Sequence, residues 1–240
     1  GHEEASGAKY IPKGLMEEWA KLDPIENYEA FLVKENIISA SDIDAIKKEI
    51  KAAINSAWTT ADGEPRIKST PEQELVDIYK SFNPEIISPS ANKTEKRLID
   101  AISDGLKQSM QKHENLIFMG QDIADYGGVF KITDGFVKEF GKERIRNTPI
   151  CESAIVSAAL GLSINGFKSV VEMQFADFVS SGFNPIINNL AKTHYRWGEH
   201  ADVVVRMPTG AGVGAGPFHS QSNEAWFTHT PGLKVVYPAF

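Results

Sequence analysis

Residues 147–178 read NTPICESAIVSAALGLSINGFKSVVEMQFADF. A strand-like RIRNTP leads into this stretch, and a helix of small residues opens at Glu152. A second apolar strand, KSVVEM (168–173), follows and runs into the aromatic QFADF. Glutamate is a surface residue in most settings. The neighbours here are Ile150, Cys151, Ala154, Ile155 and Val156, so Glu152 is expected inside the protein. A buried acid beside aromatic side chains suits a flat, weakly basic heterocycle.

The same alternation extends in both directions. Leu98, Ile102, Leu106 and Met110 form a helical stripe, LIFMG (116–120) a short apolar strand, and Phe136, Val137 and Phe140 a short helix stopped by Gly141. Beyond QFADF, residues 175–197 read as one long helix with a kink at Pro185. ADVVVRMP (201–208) is a further strand, 221–228 a brief helix and LKVVYP the last strand. Alternating helices and strands predict an α/β fold, a parallel sheet with helices on both faces. Ligands in such sheets sit at the carboxyl ends of the strands. QDIADYGG, TPICE, QFADF and PTGAGVGAGPFHSQS all fall there.

Residues 1–58 are of another kind, a helical segment. Asp23 caps a helix that begins at Pro24, and Ser41 is expected to cap the next, with Asp42 and Asp44 in its first turn. Ile43, Ile46, Ile50 and Ile54 recur at helical spacing, so this helix is expected to pack on its own domain. Residues 59–93 carry Pro65, Pro71, Pro84 and Pro89 and read as a linker ahead of a domain spanning 94–240. The chain opens at GHEEASG with no initiator methionine and closes on LKVVYPAF, which leads us to expect a slice of a longer protein.

The 240 residues carry a net charge of −7, which disfavours nucleic acid as a partner, since phosphate binding wants a basic face. No apolar run reaches the roughly 18 residues of a membrane span. The single cysteine, Cys151, excludes an internal disulfide, fits a reducing cytoplasm and is expected to be buried and inert. GAGVGAG lacks the long helix and the following acid that a dinucleotide site needs, so it reads as a backbone loop. The histidines show no metal-ligand spacing. His219, in PFHSQS past the glycine loop, is the one histidine placed to shuttle a proton at a strand-end surface. Ser220 beside it lacks the G-x-S-x-G context of a nucleophile.

Taken together, NTPICES, VVEMQFADF, AKTHYRWG, GAGPFHSQS and PGLKVVYP resemble the beta-type, pyrimidine-binding half of the decarboxylating component of 2-oxo acid dehydrogenase complexes. These are thiamine diphosphate-dependent enzymes of the transketolase-like superfamily. The resemblance covers roughly 94–240. GHEEASGAKYIPK and the helices behind it resemble the C-terminal end of the alpha-type, diphosphate-binding half, which implies a fused alpha–beta enzyme. The branched-chain (2-oxoisovalerate) type looks nearest, with pyruvate and acetoin types close behind.

The resemblance implies that Glu152 bonds a ring nitrogen of the aminopyrimidine and so favours its imino form. It implies that Phe178 packs on that ring, with Gln174 facing the same pocket. His219 would handle protons or acyl transfer to lipoamide, and His2 would lie near the cofactor diphosphate. No GDG-x…N signature for magnesium and diphosphate occurs, so that site is expected upstream and the slice is expected to be inactive alone. The implied partners are a 2-oxo acid, the lipoyl-bearing acyltransferase of the complex and a second copy, as a homodimer of fused chains. Two rivals stand beside this reading: a transketolase or deoxyxylulose-phosphate synthase type enzyme, which would want more basic residues near the pocket, and a non-catalytic assembly module.

Overall fold

The computed structural model describes residues 11–83, 85–88 and 90–238. His2, Pro84 and Pro89 therefore lie outside the described residues. The chain forms two compact units, 1–68 and 69–240. The division falls inside the expected 59–93 crossing segment.

The first unit holds α1 (Leu15–Ala20), α2 (Pro24–Lys34) and α3 (Ala40–Gly63). Asp23 caps α2 as its sequence suggests, its carboxylate accepting from the Ile25 and Glu26 amides. Ser39, not Ser41, caps α3. Its hydroxyl accepts from the Asp42 amide, and the Asp42 carboxylate accepts from the Ser39 amide. This reciprocal pair satisfies two orphan donors, which a cap at Ser41 would not. The isoleucine stripe of α3 is real but uncovered, and no described residue of this unit is buried. An ion pair between Glu29 and Lys47, at 2.6 Å, ties α2 to α3.

The second unit begins with α4 (Pro71–Ile78). Pro71 starts this helix instead of breaking it, because the first helical position needs no N–H. Thr70 caps it in a box with Gln73. Helical structure therefore occupies part of the expected linker, through the end of α3 and the whole of α4.

Four parallel strands follow: β1 (Leu116–Gly120), β2 (Ile145–Asn147), β3 (Lys168–Glu172) and β4 (Val203–Arg206). Their order in the sheet is β2-β1-β3-β4. Alternating side chains feed two cores. Leu116, Phe118 and Val170 face Met110 of α5 (Leu98–Lys112) and Phe136 of α6 (Phe136–Phe140). Ile117, Met119 and Val171 face Ile155, Val156 and Ala159 of α7 (Glu152–Ile164). Helices thus cover both faces, as the α/β pattern requires.

Two elements differ from their sequence reading. The segment expected as one kinked helix over 175–197 is three successive pieces: a 3₁₀ stretch over 176–182, a π-helical stretch over 185–190 and α8 (Ala191–Trp197). Pro185 lacks the N–H that an α-helix needs there, and the wider winding absorbs the defect. LKVVYP is not a strand. Val236 is 83% exposed, and residues 233–238 join no ladder among the described residues. A strand exists only through its pairing, and these residues have none. The brief helix near 221–228 is α9 (Glu224–Thr228).

The ladder brings Gly120, Asn147, Glu172 and Arg206 level at the carboxyl ends of the strands. This register sets Glu172 of β3 beside Arg206 of β4, and the two form an ion pair at 2.5 Å. Glu172 is 3% exposed. Its burial pushes the carboxyl above the usual carboxylate range, while the Arg206 charge and hydrogen bond pull it down. Removing either partner leaves a buried charge alone. Glu172→Ala or Arg206→Ala is expected to destabilise the fold by about 3–5 kcal/mol, and the double substitution by clearly less than the sum. Urea unfolding of the three variants measures this coupling, and additive losses would show that the pair is not coupled.

Candidate functional site

The strand order reverses between β1 and β3. The chain leaves β1 towards β2 on one side and leaves β3 towards β4 on the other. In an open parallel sheet this switch point leaves a crevice beyond the carboxyl ends. The segments that follow β1 and β3 border it. They begin with Gln121 and with Met173.

Glu152 opens α7, the helix that crosses from β2 to β3. A carboxylate in the first turn is favoured by the helix dipole. The side chain is buried, at 8% exposure. The neighbours that bury it are not all those its sequence suggests: Ile150 is 83% exposed and Ala154 is exposed. Ile155 and Val156 are buried on the core face of α7, and two groups remote in sequence approach Glu152. Gln121, itself buried, donates from Nε2 to Glu152 Oε1 at 3.1 Å. Gly182 closes from the 3₁₀ stretch. A Cβ there would stand 3.3 Å from the Glu152 carbonyl oxygen, so glycine permits this approach. Among the described residues, no donor reaches the second carboxylate oxygen.

Gln174 follows β3 and donates to Asp122 Oδ2 at 3.1 Å. Asp122 adjoins Gln121 and holds a φ of 57°, a left-handed conformation that aspartate tolerates. A polar path thus runs from Glu152 through Gln121 and Asp122 to Gln174.

Phe178 and His219 meet directly, with ring centroids 5.4 Å apart at 80°. Phe175 touches both, at 5.7 Å from Phe178 and 5.0 Å from His219, each nearly edge-on. Phe130, from the segment after β1, adds a fourth ring at 5.7 Å from Phe175. His219 comes from the loop after β4, through the glycine-rich stretch that forms only a short 3₁₀ turn over 211–213. Phe178 and His219 are half-buried.

Cys151 departs from its expected burial. It is half-buried at the N-terminal end of α7, and its Sγ donates to the Pro149 carbonyl at 3.3 Å. Among the described residues no group of three His, Cys, Asp or Glu side chains could hold a metal ion. No described helix is long and apolar enough to cross a membrane.

The structure brings Phe178 and His219 into contact, sets Gln174 on the Asp122 side of the crevice and buries Glu152 beside Gln121. Sequence reasoning named the QDIADYGG loop without singling out Gln121, and it passed over Phe175 and Phe130. The strand-end position of Gln121, immediately after LIFMG, was the available signal. Replacing Gln121 by leucine takes away the one donor, among the described residues, to a buried carboxylate. The expected loss is about 1–3 kcal/mol in urea unfolding, and an unchanged midpoint would deny the bond a structural role.

Comparison with known proteins adds the following. The family described as "Transketolase, pyrimidine binding domain" matches residues 95–239, and that described as "Dehydrogenase E1 component" matches residues 1–70. The 2-oxoisovalerate dehydrogenase subunit beta of Bacillus subtilis is 43% identical over 145 residues, which are 59% of this chain and 44% of that protein. Its mitochondrial counterpart in Dictyostelium discoideum is 40% identical over 156 residues, 64% of this chain and 42% of that protein. The pyruvate dehydrogenase E1 component subunit beta of Staphylococcus epidermidis is 40% identical over 144 residues, 59% of this chain and 44% of that protein. The chain spans less than half the length of each of these relatives.

Proposed function

The chain belongs to the transketolase pyrimidine-binding domain family, and from that premise we propose that it forms the pyrimidine half of a thiamine diphosphate site. The whole enzyme is a 2-oxo acid dehydrogenase component, a fused alpha–beta chain acting on 2-oxoisovalerate and acylating a lipoyl carrier. The observation that carries this reading is the state of Glu152. It is buried beside the switch point of the sheet, with one oxygen held by Gln121 and, among the described residues, no donor on the other.

That donor set fits an aminopyrimidine. The free carboxylate oxygen can accept from a protonated ring nitrogen, and the edge of the Phe178 ring offers an apolar flank. When bound, thiamine diphosphate supplies the electron sink for cleaving the bond between the carboxylate and carbonyl carbons. Glu152 holds a proton at the ring nitrogen, and its burial keeps competing water away. Gln121 fixes the carboxylate rotamer through its single donated bond. Gln174 borders the same crevice and offers an amide to the ring edge. His219 can give or take a proton at the carbonyl oxygen or at the acyl-accepting thiol.

The diphosphate and magnesium would be held by the alpha-type half, to which residues 1–70 are similar. His2 is proposed for the same diphosphate region. A lipoyl-bearing acyltransferase and a second copy of the chain complete the proposed assembly, in a cytoplasmic setting. The domain division we propose is an alpha-type end over 1–58, a crossing segment over 59–93 and the pyrimidine-binding domain over 94–240. Pyruvate is the second reading for the substrate, because a pyruvate dehydrogenase beta subunit is similar at nearly the same identity.

Dye reduction by the intact enzyme, run in parallel with 2-oxoisovalerate, pyruvate and acetoin, tests the substrate. Glu152→Ala is expected to lower turnover by about 10²–10⁴-fold while leaving the fold intact by circular dichroism. Turnover close to wild type would refute the role of Glu152. For His219→Ala, lipoyl acylation is expected to fall by at least about 10²-fold. Complex activity equal to wild type would remove His219 from the mechanism.

A further inference from the structure

Three strand-end segments converge on one ring, that of Phe175. Phe130 reaches it from the segment after β1, Phe178 lies three residues further along its own segment, and His219 arrives from the loop after β4. All three partners meet Phe175 close to perpendicular, at interplanar angles of 70°, 73° and 87°. Edge-to-face packing has a preferred orientation, which an aliphatic contact of equal size lacks. An imidazole set against two phenyl rings in this way is held in orientation as well as in place.

The loop that carries His219 closes mainly on itself: Thr209 Oγ1 and the Gly210 amide donate to the Gln221 carbonyl at 2.7 and 3.3 Å, and the Ala215 amide donates to Ser220 Oγ at 2.8 Å. Residues 211–218 are exposed, and Gly210, Gly214 and Gly216 all take positive φ. Its far side is tied back to the Phe175 segment by two bonds. Asn223 Nδ2 donates to the Ala176 carbonyl at 2.9 Å, and the Gln221 amide donates to Asp177 Oδ1 at 3.3 Å. Asn223 stands at the N-cap position of α9, where asparagine would ordinarily bond the first-turn amides. Here it makes no such bond. The buried side chain reaches across to residue 176 instead. The helix forgoes a favourable cap so that the loop can be held.

We propose that Phe175 and Asn223 are positioning residues for His219: Phe175 orients the imidazole and Asn223 fixes the loop behind it. Neither is assigned a role in transferring protons. The proposal rests on the functional reading above only for its kinetic consequence, since the geometry concerns the imidazole itself.

The test observes His219 directly. In the 240-residue chain labelled at histidine, the His219 ring resonances are assigned by their loss in His219→Gln. Ring currents from Phe175 and Phe178 are expected to set them apart from those of an unstructured histidine. Phe175→Leu should move them towards the unstructured values and leave the other histidines in place, while Phe175→Tyr should preserve them. Asn223→Ser should move them in the same direction as Phe175→Leu, and it carries the test if Phe175→Leu fails to fold by near-ultraviolet circular dichroism. Folded variants with unmoved His219 resonances would overturn the proposal. In the intact enzyme, Phe175→Leu is expected to lower kcat by about 10²-fold with KM nearly unchanged, and Phe175→Tyr to restore it. A loss confined to KM would also count against positioning. Absence of 2-oxo acid turnover in the wild-type enzyme would count against the functional reading alone and leave the resonance result standing.

Discussion

Four parallel strands end level with one another, and this register governs everything above them. Gly120, Asn147, Glu172 and Arg206 share one row across the sheet. Parallel pairing points every strand the same way, so every following segment emerges on the same side. The order β2-β1-β3-β4 then opens a crevice between β1 and β3. Gln174 meets Asp122, and Phe175 meets Phe130, because these residues follow those two strands. A slip of one residue in β1 or β3 would exchange the side chains that face the two cores and draw these residues apart.

Two buried carboxylates lie near this row, and the structure treats them differently. Glu172 has a full counter-charge in Arg206 at 2.5 Å. Glu152 has a neutral amide on one oxygen and, among the described residues, no donor on the other. A paired charge serves to hold strands together. A half-satisfied one retains capacity for a further bond, which is what a binding site needs. That contrast is why we propose Glu152 for the chemistry and Glu172 for the scaffolding.

The aromatic corner shows how a loop of weak intrinsic structure can present a side chain in a fixed pose. The segment around GAGVGAG forms no more than a single 3₁₀ turn. Bonds within the loop close its base at Gln221, and the β3 side orients it through Phe175 and through bonds to Ala176 and Asp177. The 3₁₀ and π-helical windings over 176–190 belong to the same arrangement. The 3₁₀ stretch ends at Gly182, which lies against the start of α7.

Much of this was legible in the residues. The spacing of Leu98, Ile102, Leu106 and Met110 gave α5, the apolar runs gave β1, β3 and β4, and the alternation gave a parallel sheet with two helical layers. Pattern alone also marked Glu152 as internal, and the long motifs pointed to the family. Local chemistry misled where two nearby residues compete, as when Ser39 and not Ser41 capped α3. It misled again where a segment needs a partner to exist, as with LKVVYP. What only the tertiary structure decided is pairwise and long-range. Gln121 as the donor to Glu152, Arg206 beside Glu172, and Phe175 between Phe130 and His219 join residues that are 31, 34 and 44 or more positions apart. Periodicity reports which face a side chain takes along its own element. The identity of what it meets there is set by register and crossover, which no single stretch of chain contains.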